Sequence, residues 1–131
     1  MQSSGLSVLV ADDSADAVES LAMLLEFDGC RVATAFDGEA ALAVAERERP
    51  QVAILDIGMP RLSGLDVARR LRATDWGRSM LLVAVTGWGR EDDRIAALDA
   101  GFDHHLVKPI DASTLATSLH AWWQAARPAG S

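Results

Sequence analysis

With a single cysteine, Cys30, in 131 residues, the chain can form no internal disulfide and shows no metal-type cysteine spacing. A reducing compartment, the cytoplasm, is the expected setting. Basic charge is scarce as well. Twelve basic against nineteen acidic residues leave a net charge of −7, which gives no electrostatic support to binding nucleic acid or inserting at an anionic membrane. Long apolar runs are missing. The N-terminal stretch "MQSSGLSVLVADDS" has no basic leader, and its apolar segment is cut after Ala11 by Asp12 and Asp13, so neither a signal peptide nor a membrane span is expected. Internal repeats and low-complexity segments are absent too. Beyond Trp123 there is no helix-turn-helix, cyclase-like segment or basic region, so direct DNA binding and a separate effector enzyme are not expected.

What is present is an alternation. Half of the residues are hydrophobic, enough for one packed core, and the length suits one domain. Five short apolar runs read as strands: 6–11, 30–35, 51–56, 80–86 and 104–108. Four of them are rich in Val, Ile or Leu with little polar alternation, the pattern of strands covered on both faces. Between them lie helical periodicities, with Val18, Leu21, Ala22 and Leu25 in 15–28 and Ala40, Ala41, Val44 and Ala45 in 37–48. Leu65, Ala68 and Leu71 mark a third helix, Ile95, Leu98 and Ala100 a fourth, and Leu115, Leu119, Trp122 and Trp123 a fifth. Boundary signals agree: Ser14 or Asp13, Ser63 and Asp111 as N-caps, Gly29 and Gly101 as stops. Adjacent Trp122 and Trp123 cannot point the same way on a helix, which predicts one in the core and the other partly covered at the edge. The domain is expected over 6–126, with flexible tails at 1–5 and 127–131.

Strict β-α alternation implies an α/β fold with a parallel sheet between two helical layers, because right-handed crossovers lay helices on both faces. In such folds ligands bind beyond the carboxyl ends of the strands. The strands end on Asp12 and Asp13, on Asp56, on Thr86, and on Lys108 followed by Pro109. Taken singly, each has a plain reading: a helix cap, a loop hydroxyl, a lysine whose stem lies along the core. Asp56 resists that reading, since "VAILD" carries its carboxylate to the edge of a core where an unpaired charge is expensive. Together, the carboxylates repel unless a cation joins them, and oxygen donors favour a hard ion such as Mg²⁺.

These residues resemble a known family. "VLVADDS", "AILDIGMPRLSG", "VAVTGWG" and "HLVKPID", in this order, are similar to the response-regulator receiver domains of two-component signalling. The resemblance implies a flavodoxin-like (βα)5 sandwich with strand order 2-1-3-4-5. It implies that Asp56 is the phospho-acceptor, taking a phosphoryl group from a phosphohistidine on a histidine kinase or histidine phosphotransfer protein. Asp13, Asp56 and the Gly58 carbonyl would bind Mg²⁺, or Mn²⁺ in its place, with Asp12 acting through ligated water. Lys108 and Thr86 would contact the phosphoryl oxygens, Pro109 would aim the lysine through a cis peptide, and Met59, Pro60 and Gly64 would shape the loop after the acceptor. A homodimer or an effector would use the face built by the fourth and fifth helices and the fifth strand. The stretch 86–111 looks especially like receivers attached to hybrid sensor histidine kinases.

One position departs from the usual pattern. Three residues before Lys108, where the family commonly has Tyr or Phe to follow the threonine on switching, stands His105. Its imidazole is smaller and can titrate near neutrality. His104 precedes it, but neighbours on a strand face opposite ways, so the two do not share an ion, and His104 is expected at the surface or edge. Gly58 and Trp88, two places after Asp56 and Thr86, would govern access of water to an acyl phosphate. Two other readings stand beside the first. A phosphorylation-independent binding module would usually lack the acceptor or acidic pair, and a small Mg-dependent phosphatase of the haloacid-dehalogenase type would want an aspartate at position 58.

Overall fold

The computed structural model describes residues 5–126, Trp88 excepted. The expected tails lie, apart from Gly5, outside the described residues, and so does the expectation for Trp88. Five strands and five helices alternate: β1 (Ser7–Ala11), α1 (Ala15–Phe27), β2 (Arg31–Ala35), α2 (Gly38–Glu48), β3 (Val52–Asp56), α3 (Gly64–Arg72), β4 (Leu81–Thr86), α4 (Glu91–Ala100), β5 (His104–Val107) and α5 (Ala112–Ala126). All strand pairs are parallel, in the order β2-β1-β3-β4-β5. This is the flavodoxin-like arrangement, and the five strands and first two helices, as predicted by range, begin and end within a residue of the observed ones.

Period-two alternation sorts the core into two layers. On one face Leu9, Ala11, Ala53, Leu55, Leu82 and Ala84 meet α2, α3 and α4. On the other, Val8, Val10, Val52, Ile54, Val83 and Val85 meet α1 and α5. The three central strands are buried on both sides, which explains their continuous apolar runs. Side-chain caps fix where helices begin. The hydroxyls of Ser14 and Ser63 and the carboxylate of Asp37 accept from the backbone N–H three residues on, each arrangement contributing about 1 kcal/mol. Gly29 (φ +95°) and Gly101 (φ +108°) end α1 and α4 in the left-handed conformation that suits glycine.

Two expectations are corrected. Of the stripe expected in α4, Ala100 is buried but Ile95 and Leu98 are nearly half exposed, and Ala97 is buried in their place. The small side chains of α4 face the core, and its larger apolar ones are turned outward. Trp122 and Trp123 do not divide into core and edge: both are half-buried against the α1/α5 layer. The Trp122 ring stacks on His104, centroids 3.9 Å apart and 15° from parallel. His104 is therefore a half-buried packing partner rather than a plain surface residue.

Candidate functional site

The strand order places β1 and β3 side by side at the centre of the sheet, so the side chains following them meet. Asp12 lies just past β1, its backbone N–H donating to Ala35 O, while Asp56 closes β3. Both are buried, at 7% and 8% exposure, whereas Asp13 is open to solvent. Each of the three carboxylates offers an oxygen within 4.8 Å of the others. Two buried carboxylates at such range need a cation.

Lys108 supplies one, from the far side of β4. Its Nζ lies 2.8 Å from Asp12 Oδ2 and 3.2 Å from Asp56 Oδ2. The strand holds it there through its backbone N–H, which donates to Thr86 O, and the following Lys108–Pro109 peptide is cis, as expected. The remaining oxygens are occupied by backbone donors: Ser14 N–H to Asp12 Oδ1 and Gly58 N–H to Asp56 Oδ1, both at 3.0 Å. Thr86 is buried at the end of β4, beside β3.

Electrostatically the two acids differ. Burial pushes the Asp56 carboxyl above the usual range; the Gly58 N–H opposes this, and the neighbouring Asp12 charge adds to it. Burial acts on Asp12 in the same direction, but its shorter contact with Lys108 and its bond from Ser14 outweigh it and hold Asp12 below that range. Burial disfavours the Lys108 charge, yet the two carboxylates raise the ammonium above its ordinary value. One cation between two acids leaves the site short of positive charge.

The loop after Asp56 is tightly built. Met59 is buried, Leu62 N–H donates to Pro60 O, and Arg61 adopts φ +70°. Gly64 opens α3 against this loop: a Cβ there would stand 2.5 Å from Asp56 O and 2.8 Å from Ile57 Cα, so only glycine allows the approach. A Cβ at Gly58 would meet only Asp56 Oδ1, at 3.7 Å, leaving open space beside that carboxylate. His105 is half-buried on β5 opposite Ala84, on the α4 side of the sheet. Its Nε2 is buried without a hydrogen-bond partner among the described residues.

The sequence missed the neighbourhood of the site. A mostly apolar cavity of about 480 Å³ runs from Asp12, Asp56 and Lys108 between α1 and Ile110, bordered by Ser20 and Leu24. The signal was present: Leu24 is an apolar residue off the buried stripe of α1. Met23, Leu24 and Phe27 are all exposed, Phe27 at 92%.

The donor set fits a hard divalent ion. Three carboxylates converge with no sulfur or imidazole among them, and the deficit of positive charge is what such an ion would correct.

Comparison with known proteins agrees with this geometry. The family model for the response regulator receiver domain matches residues 8–120. The chain is 40% identical over 116 residues to the probable transcriptional regulatory protein TcrX of Mycobacterium tuberculosis, covering 88% of this chain and 49% of that protein. It is 37% identical over 123 residues to the response regulator MprA of Mycobacterium leprae, covering 94% and 53%. The chain thus spans about half the length of these regulators. Among solved structures, a CheY-like receiver domain protein of Methanospirillum hungatei superimposes with TM-score 0.86 at 25% identity, covering 94% of this chain and 97% of that one. The receiver domain of sensor histidine kinase PA1611 of Pseudomonas aeruginosa, with a magnesium ion coordinated in its cleft, does so with TM-score 0.84 at 30% identity, covering 92% and 99%. From the order of its strands to the acids and lysine at their ends, the chain belongs to the response regulator receiver domain family.

Proposed function

We propose that this chain is a phospho-accepting signalling domain in which Asp56 takes a phosphoryl group from a phosphohistidine of a histidine kinase or phosphotransfer protein. The observation that carries this reading is the convergence of Asp56 with Lys108 at 3.2 Å and with the acids following β1, at the carboxyl edge of the sheet. An Asp56 oxygen forms the new bond to phosphorus as the donor's N–P bond breaks, and the electron pair returns to the imidazole, which takes up a proton. Little covalent work remains for the protein beyond alignment and charge compensation. Lys108 and the Thr86 hydroxyl serve the phosphoryl oxygens. Asp13 and Asp56, with the Gly58 carbonyl, would hold Mg²⁺ directly, and Asp12 would act through ligated water. Mg²⁺ supplies neutralisation of equatorial charge, and Mn²⁺ would serve similarly.

The new group adds about −1.5 to −2 charges and three acceptors, enough to draw Thr86 inward. His105, on the neighbouring strand with an unpaired buried nitrogen, would register that movement and pass it to the α4-β5-α5 face. Exposed Ile95, Leu98 and Val107 give this face its apolar surface for an effector or a second copy. A His105→Phe variant is expected to alter the phosphorylation-dependent gain in partner affinity; an unchanged gain removes the imidazole from the switch. The receiver unit would span 6–126 in a cytoplasmic setting, with a hybrid kinase as one context. Among the described residues no helix is long and apolar enough to cross a membrane.

Incubation with acetyl phosphate and Mg²⁺, followed by intact mass, tests the central reading. One phosphoryl adduct is expected, lost in Asp56→Asn and suppressed by EDTA. Labelling that ignores EDTA would remove the metal from the reaction. Steady turnover of many substrates would favour a phosphatase, and no adduct at all would favour a phosphorylation-independent binding module.

A further inference from the structure

At the end of the sheet opposite Asp56, three residues from three elements converge. Asp28 caps the C-terminus of α1, Cys30 immediately precedes β2, and His120 lies in the second half of α5. One ligand atom from each, the Cys30 Sγ, a carboxylate oxygen of Asp28 and an imidazole nitrogen of His120, lies within 4.8 Å of the others. The Nε2 of His120 is buried and has no hydrogen-bond partner among the described residues; its nearest charged neighbour is Asp28 Oδ2 at 3.8 Å. Buried imidazole nitrogens normally have a partner, so an orphan facing a thiol and a carboxylate needs a reason.

We propose that Asp28, Cys30 and His120 form a second metal site, separate from the acidic cluster, that takes Zn²⁺ or a borderline divalent ion of its kind. Thiolate, imidazole and carboxylate are the three protein donors zinc uses, whereas Mg²⁺ avoids sulfur. Tetrahedral bonds of about 2.0–2.3 Å place donor atoms about 3.2–3.8 Å apart, so the site closes with movements on the order of 1 Å. The parts allow this. Cys30 is held by its N–H bond to Leu25 O, while the Asp28 side chain is 47% exposed and free to swing in. Three protein donors leave a fourth position for water. On binding, a metal–sulfur bond forms as the thiol proton leaves to solvent, and no electrons are transferred. The ion would staple α5 to the junction of α1 and β2, the same helix that carries Trp122 and part of the proposed output face.

The test uses the full chain, stripped with a chelator, dialysed, and titrated with Co²⁺ in excess Mg²⁺ so that the acidic cluster is occupied. One equivalent of Co²⁺ is expected to give a thiolate-to-cobalt charge-transfer band and the intense visible bands of a tetrahedral site, both bleached by Zn²⁺. Zn²⁺ is expected to raise Tm by several degrees, as any ligand selective for the folded state does. Cys30→Ser should lose the charge-transfer band, and His120→Gln, a milder change on a half-exposed helix position, should weaken Zn²⁺ binding by about tenfold or more. Phosphorylation of both variants by acetyl phosphate reports that they are folded. Absence of the sulfur band at one equivalent, or Zn²⁺ binding that His120→Gln leaves unchanged, overturns the site and assigns any bound metal to the acidic cluster.

Discussion

At the scale of single residues, the site is a problem in charge. Lys108 is one cation between two buried carboxylates, and it sits closer to Asp12 than to Asp56. Asp56 is left the less compensated of the two. Its folded-state pKa is raised, by burial first and by Asp12 in addition, so the folded chain holds this proton more tightly than the unfolded chain does. The ionised carboxylate therefore opposes folding at neutral pH, and the opposition fades as pH falls through the folded value towards the usual carboxylate range. Asp56→Asn is expected to raise Tm in EDTA by about 3–5 °C, the response of a domain this size to about 1 kcal/mol. Saturating Mg²⁺ should shrink the difference, because the ion stabilises the wild type through a ligand the variant lacks. Thermal melts with and without the metal check both halves, and an Asn variant that melts below the wild type in EDTA contradicts the charge argument.

Among the elements, β5 and α5 form a clamp whose strength depends on pH. His104 stacks on Trp122 across the α5 side of the sheet. Burial lowers the imidazole's pKa below its ordinary value, and the nearby Asp103 offsets only part of that effect. The folded chain thus binds this proton less tightly than the unfolded one. Its contribution is fully present above the unfolded value, about 6.5, and is lost as pH falls from there towards the lower folded value. His104→Gln is expected to flatten the decline of Tm between pH 7 and pH 5; an unaltered slope would place the titrating group elsewhere.

Most of the element plan was legible in the chain, for a reason visible in its residues. Strands covered on both faces, such as "VAILD", cannot hide among polar residues, and their polar ends stand out as breaks. What was not legible depended on packing distance. Ile95 and Leu98 fit a helical stripe with Ala100 by spacing, but Ala97 is the residue buried beside Ala100 while the two larger side chains are exposed. The Asp28, Cys30 and His120 cluster was invisible for a related reason: its third member is ninety positions from Cys30, and no local spacing announces it.

Taken whole, the molecule separates its surfaces. The cavity beside Asp56 opens along α1, where Met23, Leu24 and Phe27 are exposed, while Ile95, Leu98 and Val107 lie on α4 and β5 across the sheet. Leu24, which borders the cavity, suits contact with a donor protein that must reach Asp56, and the set on α4 and β5 suits a reader of its state. Leu24→Glu, at the border of that cavity, is expected to leave labelling by acetyl phosphate unchanged and to slow transfer from a phosphohistidine protein about tenfold, a loss of about 1.4 kcal/mol at a contact anchor. Equal rates with the protein donor would move the docking surface away from α1.

The hydrogen bond between Lys108 and Asp56 spans 52 positions of sequence, and Lys108 reaches the acids only once β5 has joined the sheet edge beside β4. During synthesis Asp12 and Asp56 therefore leave the ribosome before Lys108, their counter-charge. A chain truncated ahead of β5 would leave Asp12 and Asp56 without the lysine that lies against both. Charge balance at these acids is therefore set only after β5 has been made and paired with β4.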